Sequence, residues 1–215
     1  MSHLIHFEGT DTIPCIPLIK KYYGVPYGKS IGSTIAGSEH SVMCSFGKDS
    51  EYSAYERILE IYPSGNVSIV SDTYDYWKVI TDYLPKLREP ILARSGKVII
   101  RPDSGDPELI LLGDPNAIPD SAENLGTLRM IDQIFGSTLN VKGYKMLCPS
   151  IGIIYGDGMY PERIKRIMER CIQQGYATSN LHFGIGGILL QSHSRDDLGF
   201  AFKASSVTIH GNSHA

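Results

Sequence analysis

The sequence has little that would tie it to a membrane, a nucleic acid or an oxidising compartment. Its four cysteines, Cys15, Cys44, Cys148 and Cys171, lie far apart, with no C-x-x-C pair and no His at zinc-ligand spacing. That argues against both a disulfide framework and a zinc knuckle. No apolar run is long enough to span a bilayer, and the first residues, Met1 to His6, lack a basic region followed by an apolar one. A cytoplasmic, reduced protein is expected. Lys and Arg total 20 against 23 Asp and Glu, a formal net charge of −3. Neither nucleic acid nor an anionic membrane is therefore expected as a partner, although a local phosphate site remains open. There is no internal repeat and no low-complexity tract. What is present is 42% hydrophobic and 20% charged residues over 215 positions, enough to bury a core and unlike a disordered tail or a coiled-coil rod. Leu4 to Phe7 already reads as the inside of a fold, and the chain stops at Ala215 just after a strand-like run; neither end reads as a domain border.

The apolar pattern alternates between short β-branched runs and helical stripes. Pro161 to Gln174 places Ile164, Ile167, Met168, Cys171 and Ile172 at i, i+3, i+4, i+7 and i+8, with charged residues opposite. Pro161 suits the first turn and Gly175 the stop. Before it lies Ile151 to Tyr155, and after it Leu181 to Phe183, a strand, loop, helix, strand unit. The same alternation predicts strands at Leu4–Phe7, Val67–Val70 and Val98–Ile100. It predicts helices near Ile16–Tyr23, over Glu51–Tyr62, and through Tyr76, Ile80 and Leu84. Uninterrupted rather than alternating apolar strands imply a parallel sheet covered by helices. Gly113 to Gly126, rich in Pro, Gly, Asp and Asn, is expected to be a surface loop within a single domain spanning residues 1–215.

Polar and glycine residues recur just past each expected strand: Gly9-Thr10-Asp11, Ser71-Asp72 with Asp75, Arg101 with Asp103, Gly156-Asp157-Gly158, and Gly186-Gly187. Chemistry at the same end of successive strands is the arrangement of a (β/α) barrel, whereas an open doubly wound sheet needs it at one switch point. A barrel, or part of one, is the expected fold. Gly184 to Gly187 ahead of an apolar segment offers backbone N–H groups to a phosphate, and Arg195 follows within two turns to close over the same anion. The competing reading is a tight turn. Asp157, between two glycines, suits ribose hydroxyls. Arg101-Pro102-Asp103 is either a surface ion pair or a diphosphate, flat-ring and sugar or Mg²⁺ contact. His40, beside Glu39 in a Gly/Ser-rich loop, is either a structural histidine or half of a His–carboxylate couple, with Asp75 orienting the ring.

Taken in order, Gly9-Thr10-Asp11, Glu39-His40-Ser41, Val70-Ser71-Asp72-Thr73-Tyr74-Asp75, Arg101-Pro102-Asp103-Ser104-Gly105, Tyr155-Gly156-Asp157-Gly158, Gly184-Ile185-Gly186-Gly187 and Ser194-Arg195-Asp196 closely resemble the nicotinamide phosphoribosyltransferase family, over nearly the whole chain. The resemblance implies a type II phosphoribosyltransferase, a barrel-like α/β homodimer. It implies transfer of a phosphoribosyl group from 5-phosphoribosyl 1-diphosphate to nicotinamide with Mg²⁺, assisted by ATP through a phosphohistidine. It further implies that Asp11 and Ser71 hold the carboxamide, and that His40 is the phosphorylated residue, supported by Asp75 and Glu39. Arg101 and Asp103 would line the ring and phosphoribosyl site, Gly156 and Asp157 the ribose, and Gly186, Gly187 and Arg195 the 5-phosphate. No residue is assigned as a metal ligand. A carboxylate such as Asp11 accepts from a neutral carboxamide and repels nicotinate, which favours nicotinamide on charge grounds.

Against the family pattern the chain is expected to be an incomplete barrel, truncated at both ends. The aromatic-Gly-Tyr-Arg string that precedes the segment corresponding to His3 has no counterpart. Open strand edges would then favour association with another chain, either a second copy or the missing portions. An inactive fragment that keeps phosphoribosyl contacts or serves in dimerisation is the alternative class, and a nicotinate phosphoribosyltransferase a weaker one.

Overall fold

The structure is a computed structural model that describes residues 20–22, 24, 35–184, 199 and 206–214. The expected strand Leu4–Phe7 and most of the expected helix Ile16–Tyr23 lie outside the described residues, as do Asp11, Gly186, Gly187 and Arg195. The chain divides into two compact units, Met1–Ala36 and Gly37–Ala215. In the first, residues 20–22 are helical.

The second unit is built around a sheet in the order β1-β2-β3-β6-β7, comprising β1 (Ala36–Gly37), β2 (Val67–Val70), β3 (Val98–Arg101), β6 (Ile151–Tyr155) and β7 (Leu181–Phe183). β2, β3, β6 and β7 run parallel. Their register sets Ile69, Ile100, Ile153 and Leu181 side by side in one row, all buried. All four residues of β2 are buried, as a parallel strand covered on both faces requires.

Helices fill the crossovers: α1 (His40–Cys44), α2 (Glu51–Ile61), α3 (Tyr76–Lys78), α4 (Leu84–Ala93), α5 (Pro107–Leu112), α6 (Ala122–Phe135) and α7 (Pro161–Gln173). A π-helical turn, Val79–Tyr83, joins α3 to α4, so the single helix expected through Tyr76 and Leu84 is widened by one turn. In α7, Ile164, Ile167 and Cys171 are buried, but Ile172 is 43% exposed, so the stripe is narrower than its periodicity suggests. A buried chain of hydroxyls links these layers. Tyr76 and Thr127 meet at 2.7 Å, and Thr127 Oγ1 donates to the Ile110 carbonyl at 2.7 Å.

The segment expected to be loop from Gly113 to Gly126 is irregular only as far as Ser121. There the Ser121 hydroxyl accepts from the Asn124 N–H at 3.2 Å and α6 begins, with a non-helical Gly126 inside it. Gly113 and Gly126 press backbone against backbone at positive φ: a Cβ on Gly126 would lie 2.2 Å from the Gly113 nitrogen. This contact explains why both positions are glycine. Antiparallel pairs β4 (Ser137–Leu139) with β5 (Lys145–Leu147), and β8 (Val207–Ile209) with β9 (Asn212–His214), complete the described elements.

Candidate functional site

Parallel register puts the last residue of each strand, and the loop after it, on one edge of the sheet. Val70 pairs with Arg101, so the loop after β2 begins beside the loop after β3, and the Ser71 N–H donates to the Arg101 carbonyl at 2.9 Å. β6 and β7 end together at Tyr155 and Phe183, and the Gly184 N–H donates to the Tyr155 carbonyl at 2.8 Å. Past this point a Cβ on Gly184 would stand 2.9 Å from the Gly156 Cα, closer than side chains tolerate. The two glycines thus let the Gly156-Asp157 turn approach the end of β7.

The centre of the edge is Asp72, whose side chain is only 5% exposed. Its Oδ1 accepts from His40 Nε2 at 3.1 Å, while its Oδ2 accepts from the Asp103 N–H at 2.9 Å and from the Ser104 hydroxyl at 2.6 Å. One carboxylate therefore ties the loops after β1, β2 and β3 together, and every bond runs from a donor to a charged acceptor, the stronger class. Arg101 reaches back over the same loops: NH2 donates to the Ser38 carbonyl at 3.0 Å and lies 3.6 Å from Glu39 Oε2. Its Nε is buried and has no hydrogen-bond partner among the described residues. Asp103 sits above the usual carboxylate range. Burial is the main cause, the neighbouring Asp72 and Asp157 add to it, and Arg101 and His40 oppose it.

Below these loops, Tyr155 is fully buried and donates its hydroxyl to the carbonyls of Ser104 and Gly105, at 2.7 and 3.0 Å, bracing the loop that carries Asp103 from the strand behind it. Burial holds its phenol well above the ordinary range. Ser71 is fully buried and donates its hydroxyl to the Ile69 carbonyl at 2.8 Å. Asp157 is exposed at the mouth of the edge.

Of the residues singled out in the sequence, Glu39, His40, Ser71, Arg101, Asp103, Gly156 and Asp157 share this edge. Asp75 does not join His40: its carboxylate accepts from the Lys78 N–H at 3.0 Å and caps α3. Glu39 turns its carboxylate to Arg101, not to the His40 ring. The partner of His40 is Asp72, to which sequence reasoning gave no role. The signal was available, since an Asp immediately before a helix is ordinarily consumed as its N-cap, which leaves the other Asp of the loop for the ring.

Among the described residues no group of three or more His, Cys, Asp or Glu side chains is arranged to hold a metal ion. The edge offers instead a guanidinium, the Asp103 carboxyl held above its usual range by burial and by the neighbouring Asp72 and Asp157, and a buried hydroxyl. This set suits a ligand that brings its own phosphates and hydroxyls. A Mg²⁺ that takes most of its ligands from such phosphates and from water needs only one or two carboxylates from a protein, and Asp103 would be the residue to hold it.

A model of the nicotinate phosphoribosyltransferase (NAPRTase) family matches residues 1–215. The nicotinamide phosphoribosyltransferase of Acinetobacter baylyi is 40% identical over 218 residues, covering 98% of this chain and 43% of its own length. That of Mycoplasma pneumoniae is 39% identical, over 96% of this chain and 43% of its own length. That of Xanthomonas campestris is 38% identical, over 98% of this chain and 42% of its own. The chain thus spans less than half the length of the curated relatives it matches.

Proposed function

Because the chain belongs to the nicotinate phosphoribosyltransferase (NAPRTase) family, we propose that it carries the phosphoribosyl-handling part of a centre that converts nicotinamide and 5-phosphoribosyl 1-diphosphate to nicotinamide mononucleotide and diphosphate, a step of NAD biosynthesis. The observation that carries this reading is the edge itself: Arg101, Asp103, His40 and Asp72 drawn into one hydrogen-bonded group at the carboxyl ends of parallel strands. Three relatives bearing the name nicotinamide phosphoribosyltransferase support the choice of pyridine.

In this reading the pyridine nitrogen attacks the anomeric carbon as the bond to the diphosphate oxygen breaks, through an oxocarbenium-like state. Arg101 meets the charge that develops on the departing diphosphate, its planar fork being suited to phosphate oxygens. Asp157 accepts from ribose hydroxyls at the mouth, and Asp103 stands over the sugar. Ser71 accepts from the carboxamide, with Asp11 as its expected companion; Gly186, Gly187 and Arg195 are expected to hold the 5-phosphate. Bound Mg²⁺ would offset diphosphate charge, and Asp103 would be the residue to hold it. ATP assistance falls to His40. A barrel closed by further strands, a homodimer and a cytoplasmic location complete the proposal.

Calorimetric titration with 5-phosphoribosyl 1-diphosphate and Mg²⁺ tests it. Arg101→Ala should weaken binding about tenfold to a hundredfold, the loss of one charge-assisted contact. Unchanged affinity removes Arg101 from the site. Since the matching family model is named for nicotinate, competition between the two pyridines is the second arm, and preference for nicotinate would overturn the substrate assignment. Binding without turnover would favour the inactive phosphoribosyl-binding module instead.

A further inference from the structure

We infer that Arg163 is a positioning residue that pins the Gly156-Asp157-Gly158 turn, so that the first turn of α7 sets where the Asp157 carboxylate stands. Asp157 is exposed, and among the described residues no side chain bonds its carboxylate. Its position therefore depends on the backbone to either side. Towards β6 that backbone is held, since the Gly184 N–H donates to the Tyr155 carbonyl at 2.8 Å. Towards α7 the usual fastening is missing: Tyr160 stands at the N-cap without a side-chain capping bond, and Pro161 brings no N–H.

Arg163 supplies a different one. From the third helical position its guanidinium folds back over the Tyr160 ring, 4.9 Å from the centroid, and Nη1 donates to the Gly158 carbonyl at 3.0 Å. The stacking fixes the guanidinium, and the bond fixes the turn to it. Gly158 completes the fit: its φ of +60° is in the left-handed region, and a Cβ there would lie 2.8 Å from Nη1, so the guanidinium fills the space a side chain would need. The next two arginines of the helix are used elsewhere, Arg166 on Glu108 at 2.8 Å and Arg170 on carbonyls at the end of α5. Ile164, Ile167 and Cys171 are buried, so the helix that carries Arg163 is a rigid base. A charged donor on a carbonyl makes the stronger class of hydrogen bond, and it acts on a turn whose two glycines would otherwise leave the backbone free to swing. The effect on a ligand rests on the reading of Asp157 as the ribose contact; the pinning of the turn does not.

Nitrogen-15 relaxation and calorimetric titration of the 215-residue chain test the two parts separately. In wild type the Asp157 and Gly158 amides should have order parameters near the ~0.85 of rigid backbone, and in Arg163→Ala they should fall below about 0.6. With 5-phosphoribosyl 1-diphosphate and Mg²⁺, Arg163→Ala should weaken binding about threefold to tenfold, the equivalent of one lost hydrogen bond. Inorganic diphosphate, which has no ribose, should bind both proteins alike. In an Asp157→Ala background the same change should cost nothing further, because no carboxylate is left to place. Equal order parameters in wild type and Arg163→Ala overturn the inference, as does an equal loss of affinity for both ligands, which would mark general damage to the edge. Wild-type amides already below about 0.6 overturn it without any variant, should Arg163→Ala not fold. If the turn loosens as stated but Asp157→Ala binds 5-phosphoribosyl 1-diphosphate as wild type does, Arg163 keeps its positioning role and the ribose reading of Asp157 falls.

Discussion

Replacing Gly184 by alanine should destabilise the protein, whereas the same change at Gly156, its partner across the sheet edge, should not. A Cβ on Gly184 would lie 2.9 Å from the Gly156 Cα, a backbone atom that no side-chain rotation can remove. Ordinary contact begins near 3.4 Å, so the ends of β6 and β7 must part by roughly half an ångström, against the Gly184 N–H bond to Tyr155 and the packing beneath it. Overpacking of this kind costs about 1–3 kcal/mol, which in a chain of this size lowers the melting midpoint by about 2–12 °C. A Cβ on Gly156 would meet Asp103 Oδ1 at 3.5 Å and the Gly184 Cα at 3.9 Å, both ordinary contacts, so Gly156→Ala should melt within about 0.5 kcal/mol of wild type. Its methyl group instead narrows the space beside Asp103 and should weaken binding of 5-phosphoribosyl 1-diphosphate. Far-ultraviolet circular dichroism melts, paired with calorimetric titration, separate the effects. Equal melting midpoints for the two variants would falsify the assignment of the Gly156–Gly184 contact.

Tyr76→Phe removes one buried hydrogen bond and should cost about 1 kcal/mol, while Thr127→Val strands both the Tyr76 hydroxyl and the Ile110 carbonyl and should cost about 2–4 kcal/mol; urea midpoints in the reverse order would refute the hydroxyl chain. Glu51 is buried with Oε1 unpartnered, and desolvation holds its carboxyl above 4.5 despite opposing pulls from Tyr83 and Lys78. Its protonated form is favoured by folding, so the stability it contributes is full below pH 4.5 and is lost as pH rises through its folded value. Glu51→Gln should accordingly become more stable relative to wild type as pH rises from 4.5 to 8, and a gap that stays constant over that range would refute this. Asp132 behaves oppositely. Burial alone would raise its carboxyl, but hydrogen bonds from Lys145, Ser137 and Tyr176 together bring it below 3.8. The stability that follows is present above pH 3.8 and lost as pH falls through the folded value, so Asp132→Asn should flatten the acid limb of the denaturation curve; an unchanged slope would count against the network.

The fold was legible where one strong periodicity decided the matter. Val67–Val70, Val98–Arg101 and Ile151–Tyr155 are short, largely apolar and bounded by polar turns, and each is a parallel strand buried among helices. Where two tendencies competed, composition misled. The Pro/Gly/Asp/Asn density of residues 113–126 signals loop, yet Ser121 supplies an N-cap to Asn124, and the helix starts while glycine is still present, because Gly126 is needed against Gly113 and not as a breaker. The π-helical turn at Val79–Tyr83 has no comparable signature. Its last residue, Tyr83, packs edge-on against Tyr52 and Tyr55 of α2, a contact between distant segments that periodicity does not register.

The candidate site shows the same division more sharply. Residue types past the strand ends were enough to gather Ser71, Arg101, Asp103 and Asp157 on one edge, since parallel strands must bring their carboxyl ends together. They could not assign partners within it, because Asp72 and Asp75 are three residues apart in a short loop and either could in principle reach an imidazole. What separates them is competition for the backbone: the α3 N-terminus leaves N–H groups unsatisfied, and Asp75, immediately before it, answers that demand at 3.0 Å. Asp72, one residue past the buried Ser71, is drawn inward instead, where the Asp103 N–H, the Ser104 hydroxyl and His40 Nε2 surround it. A carboxylate so enclosed must be fully hydrogen-bonded or be costly, and its three donors come from two other loops. The choice of His40's partner is thus settled by which carboxylate the helix has already claimed.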